Sequence, residues 1–310
     1  MYAFVGQPIK LYYLNMIAFN SLEGLNVQVD SSGRGVSYSD RWEYTPTQAE
    51  TFVVSIAVRD SENNLLGEGN LTIEAKASTA KHCLAVLVVG DSTIAAGEET
   101  QIMLDLAADT GYDLKLLGTQ GTATNVYEGR GGWSAGSYLR NTTSPFYNPN
   151  TASFDFAYYM ATQGYESVDC VCIQLGINDV FAASSDETLT DSITSYLANM
   201  KCIIESIHAY DANIKIVWNM ILPGSTDQSK FEAAYGDAQT AERYKRNTYL
   251  TNLEILKKAD DMVNVYIAPT NSSLDVTNNM ASGGGGAVHP AAAGYSEIGT
   301  LLYSLIRAIN

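Results

Sequence analysis

Two patterns of apolar and polar positions divide the chain. Up to about residue 76, short runs alternate with a period of two: IKLYYLNMIAF (9–19), LNVQVD (25–30), FVVSIAVRD (52–60) and NLTIEA (70–75). Turn-forming clusters separate them, SSGRG at 31–35 and SENN at 61–64. A period of two puts successive side chains on opposite faces of a strand, and no segment here sustains a helical period. The pattern predicts a small all-β sandwich of immunoglobulin-like shape, without the Cys and Trp pattern of antibody domains. The opening MYAFVGQPIKLYYLNM reads as its first strand.

From residue 83 the pattern changes. CLAVLVVG (83–90) is apolar throughout, as a strand buried on both faces must be. Helical and strand signals then alternate. TQIMLDLAADTG (100–111) reads as helix, DLKLLG (113–118) as strand, FDFAYYMATQG (154–164) as helix and VDCVCIQLG (168–176) as strand. The long amphipathic run at 186–210 precedes the strand IKIVWNMIL (214–222). Residues 231–261 read as one helix with Gly236 a weak point, VNVYIAP (263–269) as the last strand and GYSEIGTLLYSLIRAI (294–309) as a closing helix. Alternation of this kind predicts a parallel sheet covered by helices on both faces. The expected organisation is a β-sandwich accessory domain at 1–76, a polar linker at 77–82 and an α/β domain at 83–310.

The formal net charge of −16 argues against nucleic acid and anionic membranes as partners, although an acidic surface more commonly serves solubility. Cys83, Cys170, Cys172 and Cys202 all sit in apolar runs and are expected to be small buried residues, not a disulfide framework. The three histidines, His82, His208 and His289, do not fall at metal-ligand spacing, so no metal is expected. No apolar run reaches the ~18 residues of a membrane span. The start lacks a basic-then-apolar signal; a signal removed upstream would put the protein in an extracellular or periplasmic space.

Four segments carry candidate chemistry. In VLVVGDST (86–93) a buried strand ends in Gly90-Asp91-Ser92 ahead of a helix, where a serine can have its hydroxyl exposed and its backbone N–H near the helix N-terminus. A plain helix-capping turn has the same composition. In CIQLGINDV (172–180) a second buried strand ends before Asn178, whose amide is suited to an oxyanion; an Asn-Asp turn is the ordinary alternative. EGRGGWSAGSY (128–138) is a loop whose glycines let backbone N–H groups approach a ligand. In AVHPAAAGY (287–295), His289 lies in a turn-rich loop after the last strand, within reach of the sheet rim.

Taken in order, these segments resemble the SGNH hydrolase superfamily, the GDSL-like lipases and esterases, over about residues 84–310. EGRGGW is similar to the second block of that superfamily's carbohydrate esterases. The resemblance implies a three-layer α/β/α hydrolase domain and acyl transfer without a cofactor. It makes Ser92 the nucleophile and His289 the general base. The Ser92 N–H, the Gly132 N–H and the Asn178 side chain form the oxyanion hole. The superfamily places an aspartate three residues before the histidine, and Gly286 stands there instead. That leaves the His289 Nδ1–H to a backbone carbonyl or water, or to Asp275 upstream in the same connection, with the first two preferred.

The implied substrate is a carboxylic ester, with an acetylated saccharide favoured by the EGRGGW likeness and the appended β domain. Trp133 and Asp179 are the expected substrate contacts. Trp133, Tyr127, Tyr138 and Tyr147 are candidates for stacking on sugar rings, although packing is the commoner role for each. Two rivals stand beside this reading. Gly132-Trp133-Ser134-Ala135-Gly136 matches G-x-S-x-G, which would make Ser134 the nucleophile, but TATNVYEGR before it is too polar for a buried strand and SYLRNTTSPF after it is a poor helix. The missing aspartate favours a non-catalytic glycan-binding or adhesion protein built on a degenerate hydrolase domain.

Overall fold

The structure, a computed structural model, describes residues 1–77 and 83–310. Seven strands come first: β1 (Tyr2–Phe4), β2 (Ile9–Tyr12), β3 (Asn26–Asp30), β4 (Val36–Ser37), β5 (Arg41–Tyr44), β6 (Glu50–Arg59) and β7 (Leu65–Lys76). They form two sheets, β1-β7-β6-β3 and β2-β5-β4. Ile9, Leu11 and Trp42 of the smaller sheet meet Phe52, Val54 and Ile73 of the larger in one apolar core. Residue 77 alone of the expected linker is described; 78–82, including His82, lie outside the described residues.

Two expectations in this region change. IKLYYLNMIAF is not one strand: after Tyr12 the chain enters a 3-10 turn, Tyr13–Met16. Asn15 in that turn is buried, and its amide bonds to the backbone carbonyls of the distant Asn271 and Leu274, which draws the chain off the sheet. β5 was masked by charge. Trp42 points into the core while Arg41 and Glu43 pair with each other on the outer face.

The rest alternates strand and helix: β8 (Leu84–Gly90), α1 (Ser92–Ala95), α2 (Glu98–Thr110), β9 (Leu114–Leu117), β10 (Gln120–Thr122), β11 (Asn125–Gly129), α3 (Ala135–Arg140), β12 (Tyr147–Asn148), β13 (Ser153–Phe154), α4 (Phe156–Gln163), β14 (Cys170–Gln174), α5 (Ile177–Val180), α6 (Asp186–Tyr210), β15 (Lys215–Asn219), α7 (Gln228–Tyr235), α8 (Ala241–Ala259), β16 (Val265–Ala268), α9 (Thr270–Ser273) and α10 (Ala292–Ile309). β11-β8-β14-β15-β16 is a parallel sheet, with β9 also parallel to β8 and β10 antiparallel to β11. α2 packs with α10, and α6 with α3, α4 and α8, giving the expected three-layer α/β/α arrangement. β8 and β14 are buried at every position. Each large apolar side chain sunk this way contributes roughly 1.5–3 kcal/mol.

The long helix breaks where expected, at Gly236 with φ 54° and ψ −128°. β11 and α3 were not foreseen. Glu128, the fourth residue of NVYEG, is fully buried, which a parallel strand tolerates only with its charge satisfied. It is: Arg130 Nη1 lies 2.5 Å away, and Thr119 N, Thr119 Oγ1 and Tyr159 OH all donate to it. Cys170 and Cys172 are buried, but Cys83 and Cys202 are exposed, the latter on the outer side of α6.

The β region packs on the closing helix. Phe4 N–H donates to Ser304 Oγ at 2.8 Å, and the Arg307 guanidinium lies 4.1 Å over the Phe4 ring and 3.8 Å over Tyr112.

Candidate active site

Ser92 follows the end of β8 as the first residue of α1. The turn before it is tight. A Cβ on Gly90 would come within 2.3 Å of the Ile94 side chain and 2.9 Å of the Gln174 carbonyl, so only glycine lets the strand end so close to the helix. Asp91 caps α1 by accepting from Thr93 N at 2.9 Å. The Ser92 N–H, free at the helix start, has no acceptor among the described residues. The same holds for Gly132 N–H, in the loop after β11.

That loop is fastened to the turn that carries Ser92. Arg130 N–H donates to the Gly90 carbonyl at 3.0 Å, and so does the Tyr138 hydroxyl at 2.8 Å. Asn178, on α5 at the end of β14, donates through Nδ2 to the Trp133 carbonyl at 2.9 Å. The amide has a second hydrogen, so the bond fixes the group and leaves a donor. The three expected oxyanion donors therefore sit on segments joined to one another at the carboxyl ends of β8, β11 and β14.

His289 Nε2 lies 2.8 Å from Ser92 Oγ. Its Nδ1 lies 3.0 Å from the Gly285 carbonyl, which also accepts the His289 backbone N–H at 3.2 Å. A carbonyl only accepts, so Nδ1 carries the hydrogen and Nε2 presents its lone pair to the serine hydroxyl. Gly286, where the aspartate is absent, cannot carry a side chain in this conformation. A Cβ there would stand 1.7 Å from the Ala281 carbonyl. Lys230 of α7 donates to that carbonyl at 3.0 Å and pins it.

Beneath Ser92 is a buried polar cluster that the sequence reading missed. Gln174 Nε2 donates to Thr93 Oγ1 at 2.8 Å and to Glu99 Oε2 at 3.0 Å, and Asn219 Nδ2 donates to Gln174 Oε1 at 2.8 Å. Burial pushes the Asp91 carboxyl up to about 6, against the lowering effect of its bonds from Thr93. Burial, aided by the Asp91 charge, pushes Glu99 up to about 8. Glu99 thus holds its proton at neutral pH. The legible signal was a polar residue closing an otherwise apolar strand, Gln174 on β14 and Asn219 on β15.

Several expected contacts fall elsewhere. Asp275 is not beside His289's Nδ1; its carboxylate accepts from Thr277 N, Asn278 N and Asn278 Nδ2, as a turn residue does. Asp179 serves the start of α3, where its carboxylate accepts the Ala135 N–H at 3.1 Å, and burial pushes it up to about 6. Ser134 has a strand upstream and a helix after it, against expectation, but its hydroxyl caps α3 in a reciprocal box with Ser137. Tyr127 and Tyr138 are buried in the core, whereas Tyr147 and Trp133 stay partly exposed. Trp133 stands edge-on to Tyr138 at 5.0 Å, with Arg130 over its ring at 5.2 Å. Among the described residues, no three His, Cys, Asp or Glu side chains cluster to hold a metal ion, and no helix is long and apolar enough to cross a membrane.

A family model described as GDSL-like Lipase/Acylhydrolase matches residues 86–302. Comparison with curated proteins gives no match. Among solved structures, the chain is similar to a GDSL-like lipase from Bacteroides thetaiotaomicron VPI-5482, at 15% identity and TM-score 0.43 over 72% of this chain and 85% of that one. It is also similar to a carbohydrate acetylesterase from Sinorhizobium meliloti, at 14% identity and TM-score 0.42 over 73% and 100%. A gut microbial diltiazem-metabolizing enzyme matches at 12% identity and TM-score 0.47 over 74% and 48%.

Proposed function

The chain belongs to the family of GDSL-like lipases and acylhydrolases, and from that premise we propose that it is a serine esterase acting through a Ser92–His289 pair. The observation that carries this reading is the 2.8 Å approach of His289 Nε2 to Ser92 Oγ. His289 takes the hydroxyl proton as Ser92 attacks the ester carbonyl. The Ser92 and Gly132 N–H groups and the Asn178 amide receive the developing oxyanion. His289 then returns the proton to the departing alcohol, and a water activated the same way hydrolyses the acyl-enzyme.

A carbonyl in place of the acid has a specific consequence. Where an asparagine replaces the acid, the imidazole can settle in the wrong tautomer, at a cost of about 10⁴ in rate. The Gly285 carbonyl permits only the correct one, but its dipole stabilises the imidazolium less than a full charge does. The rival glycan-binding reading rested on the missing aspartate, and an alternative partner for Nδ1 weakens it.

We further propose an acetyl group on a carbohydrate as the substrate. The EGRGGW segment supports it, with exposed Gly131 and Gly132 and the partly exposed Trp133 face beside the nucleophile turn. The test is acetate release from acetylated xylan or pectin against hydrolysis of long-chain esters. Acetate release with little long-chain activity is expected, and the reverse profile contradicts it.

A further inference from the structure

We infer that the N-terminal β region is a positioning element for the general base: it clamps the segment 270–281, and that segment holds His289 in line with Ser92. The inference rests on the proposed roles of those two residues. It begins at Asn15, which is 6% exposed. Its amide donates to the Asn271 carbonyl at 2.9 Å and to the Leu274 carbonyl at 2.6 Å. Asn271 lies in the four-residue α9 and Leu274 directly follows it, where a helix end leaves carbonyls without intrahelical partners, and Asn15 supplies a donor to both from the β region.

A second anchor holds the next part of the segment, at Asp275 and Asn279. Glu297 of α10 has a side chain 8% exposed. Its Oε1 accepts from Tyr12 OH at 2.7 Å and Lys10 Nζ at 3.2 Å, both on β2. Its Oε2 accepts from Asp275 N at 2.9 Å and Asn279 Nδ2 at 3.0 Å. One carboxylate therefore joins the β region, the closing helix and the segment leading to the base.

That segment then pairs with the base itself. Ala281 N–H donates to the His289 carbonyl at 3.0 Å, Ala291 N–H to the Asn279 carbonyl at 2.8 Å, and Met280 bridges Pro290 antiparallel. The chain of contacts from Asn15 and Tyr12 to His289 is unbroken. It is needed because residues 283–286 are all glycine and lose the most freedom on ordering. A displacement of ~1 Å at a reacting group costs about 10²-fold in rate.

The experiment compares Asn15→Asp, which turns the donor into an acceptor facing two carbonyls, with Glu297→Gln, which sets a donor against donors. Glu50→Gln is the control. Glu50 also lies in the β region but is bonded to Arg34 and Tyr44 and not to Asn15, Glu297 or the segment 270–281. Each is assayed on p-nitrophenyl acetate well below its melting midpoint. The expected result is a kcat lower by about tenfold or more in both clamp variants, with KM changed by less than about twofold. Glu50→Gln should keep wild-type kcat whatever its melting midpoint. If Asn15→Asp does not fold, Asn15→Ala and Glu297→Gln decide. Folded clamp variants with wild-type kcat overturn the inference and leave the esterase reading standing. Wild-type hydrolysis that survives Ser92→Ala defeats that reading instead.

Discussion

Ser92 and His289 stand 2.8 Å apart, yet they reach that point from opposite kinds of structure. Ser92 stands just past the end of β8, a strand buried at all seven positions, and rests on a cluster of buried polar side chains from β14, β15 and α2. His289 ends a run of turns and glycines and is oriented by a main-chain carbonyl. A sheet rim fixes a residue through the backbone of the fold, whereas a loop needs anchors placed on it one by one. Substitutions on the two sides should therefore fail differently. On the serine side they remove a chemical group; on the histidine side they move one.

The largest effect expected short of the reacting pair is on the serine side. Asn178→Ala removes the proposed oxyanion donor and should lower kcat by about 10²–10³-fold with little change in KM, as steady-state kinetics on p-nitrophenyl acetate would show. On the histidine side, Gly286→Ala must displace the Ala281 carbonyl and should cost about 10²-fold. Gly285→Ala adds a Cβ into open space and keeps the orienting carbonyl, so it should stay within about twofold. Equal losses in the two glycine variants would break the comparison. Asp275→Asn should change kcat by less than about threefold, since its carboxylate serves a turn and not the imidazole.

The smallest effect concerns stability. Glu99 is raised in the folded protein to about 8, while an unfolded glutamate titrates near ~4.3. Between those values the unfolded chain holds fewer protons, so stability falls as pH rises. Glu99→Gln removes that dependence. Its melting temperature should exceed the wild type's by several degrees at about pH 8 and by less at about pH 5, measured by thermal melts across that range.

The serine half was the more legible in the sequence for the same reason that it is the more rigid. VLVVGDST and CIQLGIND carry their geometry locally: an apolar run fixes the strand, a glycine its end, and the next residues stand at the rim. β11 escaped because a buried Glu128 breaks the apolar pattern, and only its neighbours in space satisfy it. The partner of His289 could be narrowed but not identified, since a carbonyl acceptor has no side-chain signature. Asn15 and Glu297 were invisible, because their partners lie 256 to 287 residues away or in another layer. The strand IKLYYLNMIAF ended early, after Tyr12, for that reason: the burial of Asn15 rests on a contact that no local period encodes.

The most direct test is hydrolysis of p-nitrophenyl acetate by the wild type, Ser92→Ala and Ser134→Ala. Ser92→Ala should lose about 10³-fold or more, with Ser134→Ala close to wild type at a temperature where its weakened helix cap is tolerated. Equal rates for the wild type and Ser92→Ala would contradict the assignment of the nucleophile.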